Sequence, residues 1–350
     1  MENKNNAMGM LDLLTAPSFC VKDNLIIRVN PAAQALQLEP GMALTDLLGS
    51  DAPAYAGFSG GCLCLRLTHL DTVWNAAVTR FSDGDVFLLE NHTQPELQAL
   101  ALAARELSAP LNNTMLIADK LLDTQDEALR SQLSRLNRGL YQLLRIVGNM
   151  SDAGYSPIYT NQALHEMQTV MAEIMEKLRP LTEAAGLTLA YTGLSQPVYT
   201  LCDPQQLERA IVNLLSNAMK FSQPGSTIRI QFTVSGNLLR LSMEDQGSGI
   251  REDIIRSVFH RYLRQPNIED SRHGLGLGMV LIRNTAMDHG GTVLIDQPEG
   301  SGTRVTLTLA IRQEDGRLRQ NILRPVAGGY NSRLIELSQV LPPELYNGNQ

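Results

Sequence analysis

The chain has 350 residues, of which 43% are hydrophobic and 19% are charged, a composition typical of a folded protein of two or three domains. A formal net charge of −7 argues against a protein whose role is to bind nucleic acid or an anionic membrane. No apolar run approaches the ~20 residues that span a bilayer, and the polar N-terminus lacks the organisation of a signal peptide, so we expect a cytoplasmic protein without a membrane span.

Residues 12–90 alternate short strand patterns with turns. The apolar run at 19–29, interrupted by polar residues at 22–24, predicts a hairpin, and Asn30 before Pro31 predicts a capped helix start. Further strands are predicted at 62–67, 76–81 and 85–90. This order resembles a PAS-like α/β sensor domain, which the resemblance places at residues 1–92. Such a domain either binds a ligand or serves only in dimerisation.

The four cysteines are too few and too scattered for a disulfide framework. Cys62 and Cys64 lie two positions apart on a predicted strand and therefore share a face. We expect buried, reduced thiols.

Residues 93–155 carry two long helical patterns, at 95–123 and 126–150, which predict an antiparallel helical hairpin. In the second helix, apolar residues recur alternately four and three positions apart, at Leu129, Leu133, Leu136, Leu140, Leu143, Val147 and Met150. One partner helix cannot cover so wide an apolar seam. The pattern favours a dimeric four-helix bundle built from two chains, although packing on another domain of the same chain stays open.

Residues 160–312 predict an α/β sandwich. Helices are expected at 164–185, 203–221 and 279–288, and strands at 187–191, 228–234, 238–245, 292–296 and 304–311. The extension at 313–350 is mixed in character, with a short helix expected near 334–340 and no recognisable chemistry. The fold class is therefore a multidomain α+β protein.

The helix at 203–221 presents polar side chains on one face. Asn213, Asn217 and Lys220 are four and three positions apart, so they project together. An amide oxygen is a hard ligand that suits Mg²⁺ without repelling a triphosphate, and a lysine can pair with phosphate. Taken alone, an ordinary polar helix face explains these residues more simply.

Two glycine-containing stretches follow. Asp245 ends a strand and precedes Gly247, Gly249 and Ile250, where a carboxylate can accept a hydrogen bond and glycines allow close backbone approach. Glycines alternate with leucines over 274–278, which leads into a helix, and successive amide groups at a helix start can hold an anion. A dinucleotide-binding fingerprint is excluded because no strand directly precedes this run.

Together these stretches resemble the GHKL (Bergerat) ATP-binding domain of histidine kinases, gyrase-type ATPases and heat-shock chaperone ATPases. The stretch at 258–264, with Phe259 and Arg264, looks like the phenylalanine box of histidine kinases. The resemblance implies ATP and Mg as cofactors, with Asn217 as Mg ligand, Asn213 near the γ-phosphate, Asp245 at adenine and Lys220 on phosphate. It extends the ATP-binding set to Phe221, Gly247, Gly249, Ile250, Phe259, Arg264, Gly274, Leu275, Gly276 and Leu277.

Residues 104–111, Ala-Arg-Glu-Leu-Ser-Ala-Pro-Leu, resemble the phosphoacceptor box of sensor histidine kinases, usually Ser-His-Glu-Leu-Arg-Thr-Pro-Leu. Arg105 occupies the histidine position, Glu106 keeps the acid, and Ala109 replaces a polar residue. A guanidinium has no free lone pair with which to attack phosphorus. The box is therefore degenerate. The remaining catalytic candidates are Glu106 within the box and Asn213 in the helix at 203–221.

The resemblance implies a homologue of two-component signalling kinases that binds Mg·ATP but does not phosphorylate itself. Two alternatives stay open. The chain is either an active kinase that phosphorylates a histidine of a partner in trans, or a non-enzymatic scaffold with a vestigial ATP site. The implied partners are a second copy or a heterodimer partner bound through the hairpin, a response regulator, or a His-bearing kinase.

Overall fold

The computed structural model describes residues 7–11, 14–90, 95–122, 126–153, 161–250, 277–298, 302–313 and 330–347. Its α-helices are α1 (Ala7–Leu11), α2 (Pro31–Ala35), α3 (Thr45–Leu48), α4 (Ala52–Ala56), α5 (Pro95–Leu121), α6 (Glu127–Ala153), α7 (Met167–Ala184), α8 (Pro204–Phe221), α9 (Leu277–Asp288) and α10 (Ser332–Glu336). Its strands are β1 (Ser18–Lys22), β2 (Leu25–Val29), β3 (Cys62–His69), β4 (Thr72–Phe81), β5 (Gly84–Glu90), β6 (Ala163–Glu166), β7 (Thr188–Thr192), β8 (Tyr199–Cys202), β9 (Thr227–Ser235), β10 (Leu238–Glu244), β11 (Val293–Asp296) and β12 (Arg304–Ala310). Among these elements, no helix combines the length and apolar character needed to cross a bilayer.

The N-terminal part is a five-stranded antiparallel sheet in the order β2-β1-β5-β4-β3. The predicted hairpin and the three-strand meander are both confirmed. Asn30 caps α2 as expected, because its side-chain oxygen accepts a hydrogen bond from the Ala33 amide at 2.9 Å. The assignment of this N-terminal part as a PAS sensor stays a prediction.

Helices α5 and α6 pack against each other, and the Asn137 Nδ2 donates to Asp119 Oδ1 at 3.0 Å. The heptad pattern of α6 divides between two environments. Leu133, Leu140 and Val147 are buried within the chain. The intervening leucines, 129, 136 and 143, are 44%, 53% and 49% exposed. Half of the predicted apolar seam is therefore covered by this chain itself.

The C-terminal part places α7, α8 and α9 around an apolar core that includes β7 and β9–β12. The helix predicted to begin at residue 164 in fact begins at Met167. Residues Ala163–Glu166 form β6, which pairs with β8. Neither of these two strands was predicted from the sequence. Glu166 ends the strand and starts the helix, since its carboxylate accepts hydrogen bonds from the amides of Gln168 and Thr169.

The two parts share one sheet. Strand β3 pairs antiparallel with β11, which joins ten strands in the order β2-β1-β5-β4-β3-β11-β12-β10-β9-β7. Glycine is required beside this junction, because a β-carbon on Gly61 (φ +87°) would lie 2.1 Å from the Ile295 carbonyl oxygen. Cys62 and Cys64 are free thiols buried in the core that contains α7 and α8, as expected of reduced cysteines.

Candidate functional site

Helix α8 is the element that positions the candidate site. Asp203 caps it, because its Oδ1 accepts hydrogen bonds from the amides of Gln205 and Gln206 at 3.1 and 3.2 Å, and Pro204 fits the first helical position. Leu207, Ile211 and Leu215 are buried and fix the helix in the core. The predicted polar face therefore has a fixed direction.

Asn213 lies in the middle of α8 and is only 1% exposed. Its Nδ2 donates to the Arg209 carbonyl at 3.0 Å, which fixes the orientation of the amide. Its Oδ1 has no hydrogen-bond partner among the described residues. A β-carbon on Gly278 would lie 2.9 Å from this oxygen, so glycine in the first turn of α9 is what lets α9 approach it. A buried, unsatisfied amide oxygen is an available ligand for a hard cation.

Asn217 and Lys220 continue the same face of α8. Asn217 is half-buried, and its Nδ2 lies 3.6 Å from the sulfur of Met279 in α9. The Lys220 ammonium lies 5.5 Å from the ring centre of Phe221 and is half-buried. The polar face of α8 is therefore directed toward the first turn of α9, the helix that follows the glycine run.

Asp245 follows β10 and is 7% exposed. Its Oδ1 accepts hydrogen bonds from the amides of Gly247 at 2.8 Å and Thr303 at 3.2 Å. Burial raises the pKa of this carboxyl group, although both hydrogen bonds oppose the rise. A β-carbon on Gly247 would lie 2.5 Å from the Phe221 carbonyl oxygen, so this turn rests on the C-terminal end of α8.

The structure thus gathers most of the described candidates around α8. Asp245 and Gly247 lie at its C-terminal end, and Asn213 and Asn217 lie beside α9. Gly249 adopts a φ of +72°, and half-buried Ile250 accepts a hydrogen bond through its carbonyl from Gln297 at 2.6 Å. Leu277 begins α9. The candidates Phe259, Arg264, Gly274, Leu275 and Gly276 lie outside the described residues.

Sequence reasoning missed two contributors, Met279 and Thr303. Thr303 follows Gly302, whose φ is +102° and whose β-carbon would lie 2.0 Å from the Asp245 carbonyl oxygen. The signal was present as a glycine two residues before β12, and a glycine next to a strand often marks a close approach between backbones. Met279 carried no distinguishing signal.

The degenerate box lies on α5, away from these residues in sequence. Arg105, Glu106 and Ala109 are all exposed, and the helix continues through Pro110. The Ser108 hydroxyl donates to the Ala104 carbonyl one turn earlier at 2.9 Å. The stretch is therefore a regular, accessible part of α5, and Arg105 is exposed on it.

Residues 202–313 match the family of histidine kinase-, DNA gyrase B- and HSP90-like ATPases. The chain is 26% identical over 254 residues to a sensor-like histidine kinase of Rhizobium meliloti, with 70% of this chain and 48% of the relative covered. It is 24% identical over 252 residues to the sensor histidine kinase CusS of Escherichia coli K12, with 70% and 50% covered. The chain thus spans about half the length of these relatives.

Among solved structures, full-length ShkA in complex with AMPPNP matches with a TM-score of 0.48 and 22% identity, and the match covers 63% of this chain and 47% of ShkA.

Proposed function

We propose that this chain is a homologue of the sensor histidine kinases that binds Mg·ATP beside α8 without phosphorylating its own hairpin. The observation that carries the proposal is Arg105. It occupies the accessible nucleophile position of α5, in a chain whose Asn213 offers a buried, unpartnered oxygen at the candidate nucleotide site. The proposed role in two-component signalling is then one of nucleotide-dependent conformation and partner binding.

The residues around α8 fit the proposed cofactor. Asn217 would supply an oxygen to Mg²⁺, and the unpartnered oxygen of Asn213, near the γ-phosphate, would face the same cation. Asp245 would accept a hydrogen bond from the exocyclic amine of adenine, since two backbone amides occupy only its Oδ1. Lys220 would pair with phosphate, and the glycine run at 274–278 would contribute backbone amides. Bound Mg²⁺ would neutralise charge on the phosphates.

The proposed loss of self-phosphorylation follows from the chemistry of α5. Arg105 stays protonated and cannot attack the γ-phosphorus. Glu106 would act as a base toward a neighbouring histidine, and the sequence of α5 contains no histidine. Ala109, one turn later, has no polar group with which to orient a water molecule.

The exposed apolar face of the hairpin supports a dimer. Its large side chains include Leu102, Leu107, Leu116, Ile117, Leu121, Leu129, Leu136 and Leu143, all 44–63% exposed. Exposed apolar side chains of this number favour an interaction surface, and a helical hairpin of the same kind is its natural partner. We propose a homodimer that forms a four-helix bundle.

The same face supports a second candidate activity. A heterodimer partner whose hairpin carries a histidine at the position of Arg105 would present a nucleophile to the ATP of this chain. The kinase would then act in trans and pass phosphate toward a response regulator.

Radiolabelled ATP and thermal unfolding test the proposal together. Mg·ATP at ~100 times its dissociation constant should stabilise the chain by about 2.7 kcal/mol. Asn213→Ala should abolish that stabilisation, whereas Asn237→Ala, an exposed asparagine in the β9–β10 turn, should leave it intact. No acid-labile phosphate should appear on the wild-type chain.

Incubation with His-bearing hairpin proteins distinguishes the main proposal from a kinase that acts in trans. Phosphate transfer from ATP to the partner's histidine, abolished by Asn213→Ala, would establish the kinase in trans. Histidine phosphate on the wild-type chain itself would refute the main proposal. Absence of any Mg-dependent stabilisation would favour the scaffold with a vestigial site.

A further inference from the structure

Residues 330–347, here called the C-terminal segment, lie between the hairpin helix α6 and the site helix α8. The segment comprises α10, capped by Asn331, and a 3₁₀ turn at Pro343–Tyr346. Its apolar side chains are buried in the same core as α8: Tyr330, Leu334, Ile335, Leu337, Leu341 and Tyr346. The segment therefore forms part of the folded protein and connects two elements that the sequence assigned to different domains.

Helix α6 holds the segment through side chains on one face. Arg138 donates to the carbonyls of Ser338 at 2.9 Å and Gln339 at 3.0 Å, and Gln142 donates to Ser338 at 3.1 Å. One turn away, the Tyr141 ring lies 4.9 Å from that of Tyr346 and 6.0 Å from that of Tyr330. The hydrogen bonds satisfy carbonyls in the turn that follows α10.

Helix α8 holds the other side of the segment. The Ser216 hydroxyl donates to the Glu336 carbonyl at 3.3 Å. The Arg333 Nε lies 2.5 Å from Glu208 Oε1, with both side chains largely buried. The segment thus contacts α8 along two turns that flank Asn213.

Glu336 of the C-terminal segment contacts both α6 and α8. Its side chain is 4% exposed, and its carboxylate oxygens lie 3.4 Å from the Arg145 Nε of α6 and 3.2 Å from the Arg209 Nε of α8. A buried carboxylate is costly unless it is paired, and here the two pairing cations come from two different helices. The buried charge is therefore compensated only while α6, α8 and the segment are together.

We propose that the C-terminal segment is an intramolecular latch, which fixes the ATPase domain against α6 and whose release loosens this contact, although Arg209 still reaches Asp152 and Asn149 of α6 directly. Leu129, Leu136 and Leu143, the exposed side chains of α6, lie about half a helical turn from Arg138 and Arg145. The latch and the proposed dimer interface therefore use different faces of α6, and release of the latch leaves the dimer intact.

Cleavage of the folded chain tests the latch. A protease recognition sequence inserted after residue 321 leaves every contact described above in place. Spin labels at Arg135→Cys in α6 and Gln205→Cys in α8, both exposed positions, report the distance between the helices, and the four native cysteines are buried. After cleavage, the wild-type chain should retain the peptide through gel filtration and keep one narrow distance distribution.

Cleaved Glu336→Ala should lose the peptide at least about tenfold faster and show a broadened distance distribution. Glu344→Ala is the matched control, since it removes an exposed carboxylate from the same segment. Glu336→Gln keeps the volume of the side chain and serves if the alanine variant does not fold. A distance distribution that stays narrow after the peptide has left would overturn the proposal, as would equal retention in the Glu336 and Glu344 variants.

Discussion

The ion pair between Glu90 and Arg283 gives the sharpest stability prediction. Glu90 ends β5 in the N-terminal sheet, and Arg283 lies on α9 beside the candidate nucleotide site. Their side chains are 13% and 8% exposed, and Arg283 Nη1 lies 2.6 Å from Glu90 Oε2. Removing one partner of a buried pair leaves the other charge uncompensated, which typically costs about 3–5 kcal/mol. We therefore expect Glu90→Ala to lower the free energy of unfolding by that amount.

The double variant Glu90→Leu, Arg283→Met should recover most of this loss, because replacing both charges with apolar groups removes the uncompensated charge. Arg229→Ala is the control. Its pair with Glu244 joins side chains that are 52% and 29% exposed, and exposed pairs contribute at most about 1 kcal/mol.

Urea unfolding followed by tryptophan fluorescence measures these differences in the free energy of unfolding. The single tryptophan, Trp74, lies in β4 and reports on the N-terminal sheet. With a denaturant slope of about 2–3 kcal/mol per molar, Glu90→Ala should lower the midpoint by about 1–2.5 M. A midpoint shift no larger than that of Arg229→Ala would refute the reasoning, as would a double variant as unstable as Glu90→Ala.

Four further variants test the fold and the hairpin. Gly291→Ala should destabilise the chain by about 3 kcal/mol, because its β-carbon would lie 1.7 Å from the Thr308 carbonyl oxygen; Gly139→Ala, with open space around it in α6, should stabilise it by up to about 1 kcal/mol in the same urea titration. Burial raises the pKa of Asp288 from 3.8 to about 6, so the folded state binds its proton more tightly and the stability from this group is lost as pH rises through 6. Asp288→Asn should therefore be more stable than wild type at pH 7, by at most about 3 kcal/mol, and the two unfolding curves should converge near pH 4. Leu136→Asp should shift sedimentation from dimer to monomer without loss of folded stability, and unchanged sedimentation would contradict the proposed interface.

Local sequence patterns predicted most of the elements because their signals lie within a few residues. Asn30 before Pro31 located α2, since a cap and its helix are adjacent in the chain. The start of α7 was misplaced for the same reason: Ala163–Glu166 form a strand only through pairing with Tyr199–Cys202, more than 30 residues away.

In the candidate site, too, nearby residues predicted some features and contacts in the folded chain decided others. The spacing of Asn213, Asn217 and Lys220 placed them on one helix face, and the close backbone approach expected at Gly247 is present against the Phe221 carbonyl. The orientation of Asn213, with its oxygen unpartnered, depends on the Arg209 carbonyl and on α9, so no local pattern specified it.

By itself, the sequence predicted most of the elements in their order, placed Arg105 in a stretch that resembles a phosphoacceptor box, and supplied the residue types that are proposed to hold Mg·ATP. Only the tertiary structure decided how these parts are joined: β3 pairs with β11, and Glu336 bridges Arg145 and Arg209. The run of apolar residues at 62–65 is typical of a strand buried on both faces, but it does not name the partner. Sheet pairing and buried charge compensation join residues far apart in the chain, and their energies exist only once the chain has folded.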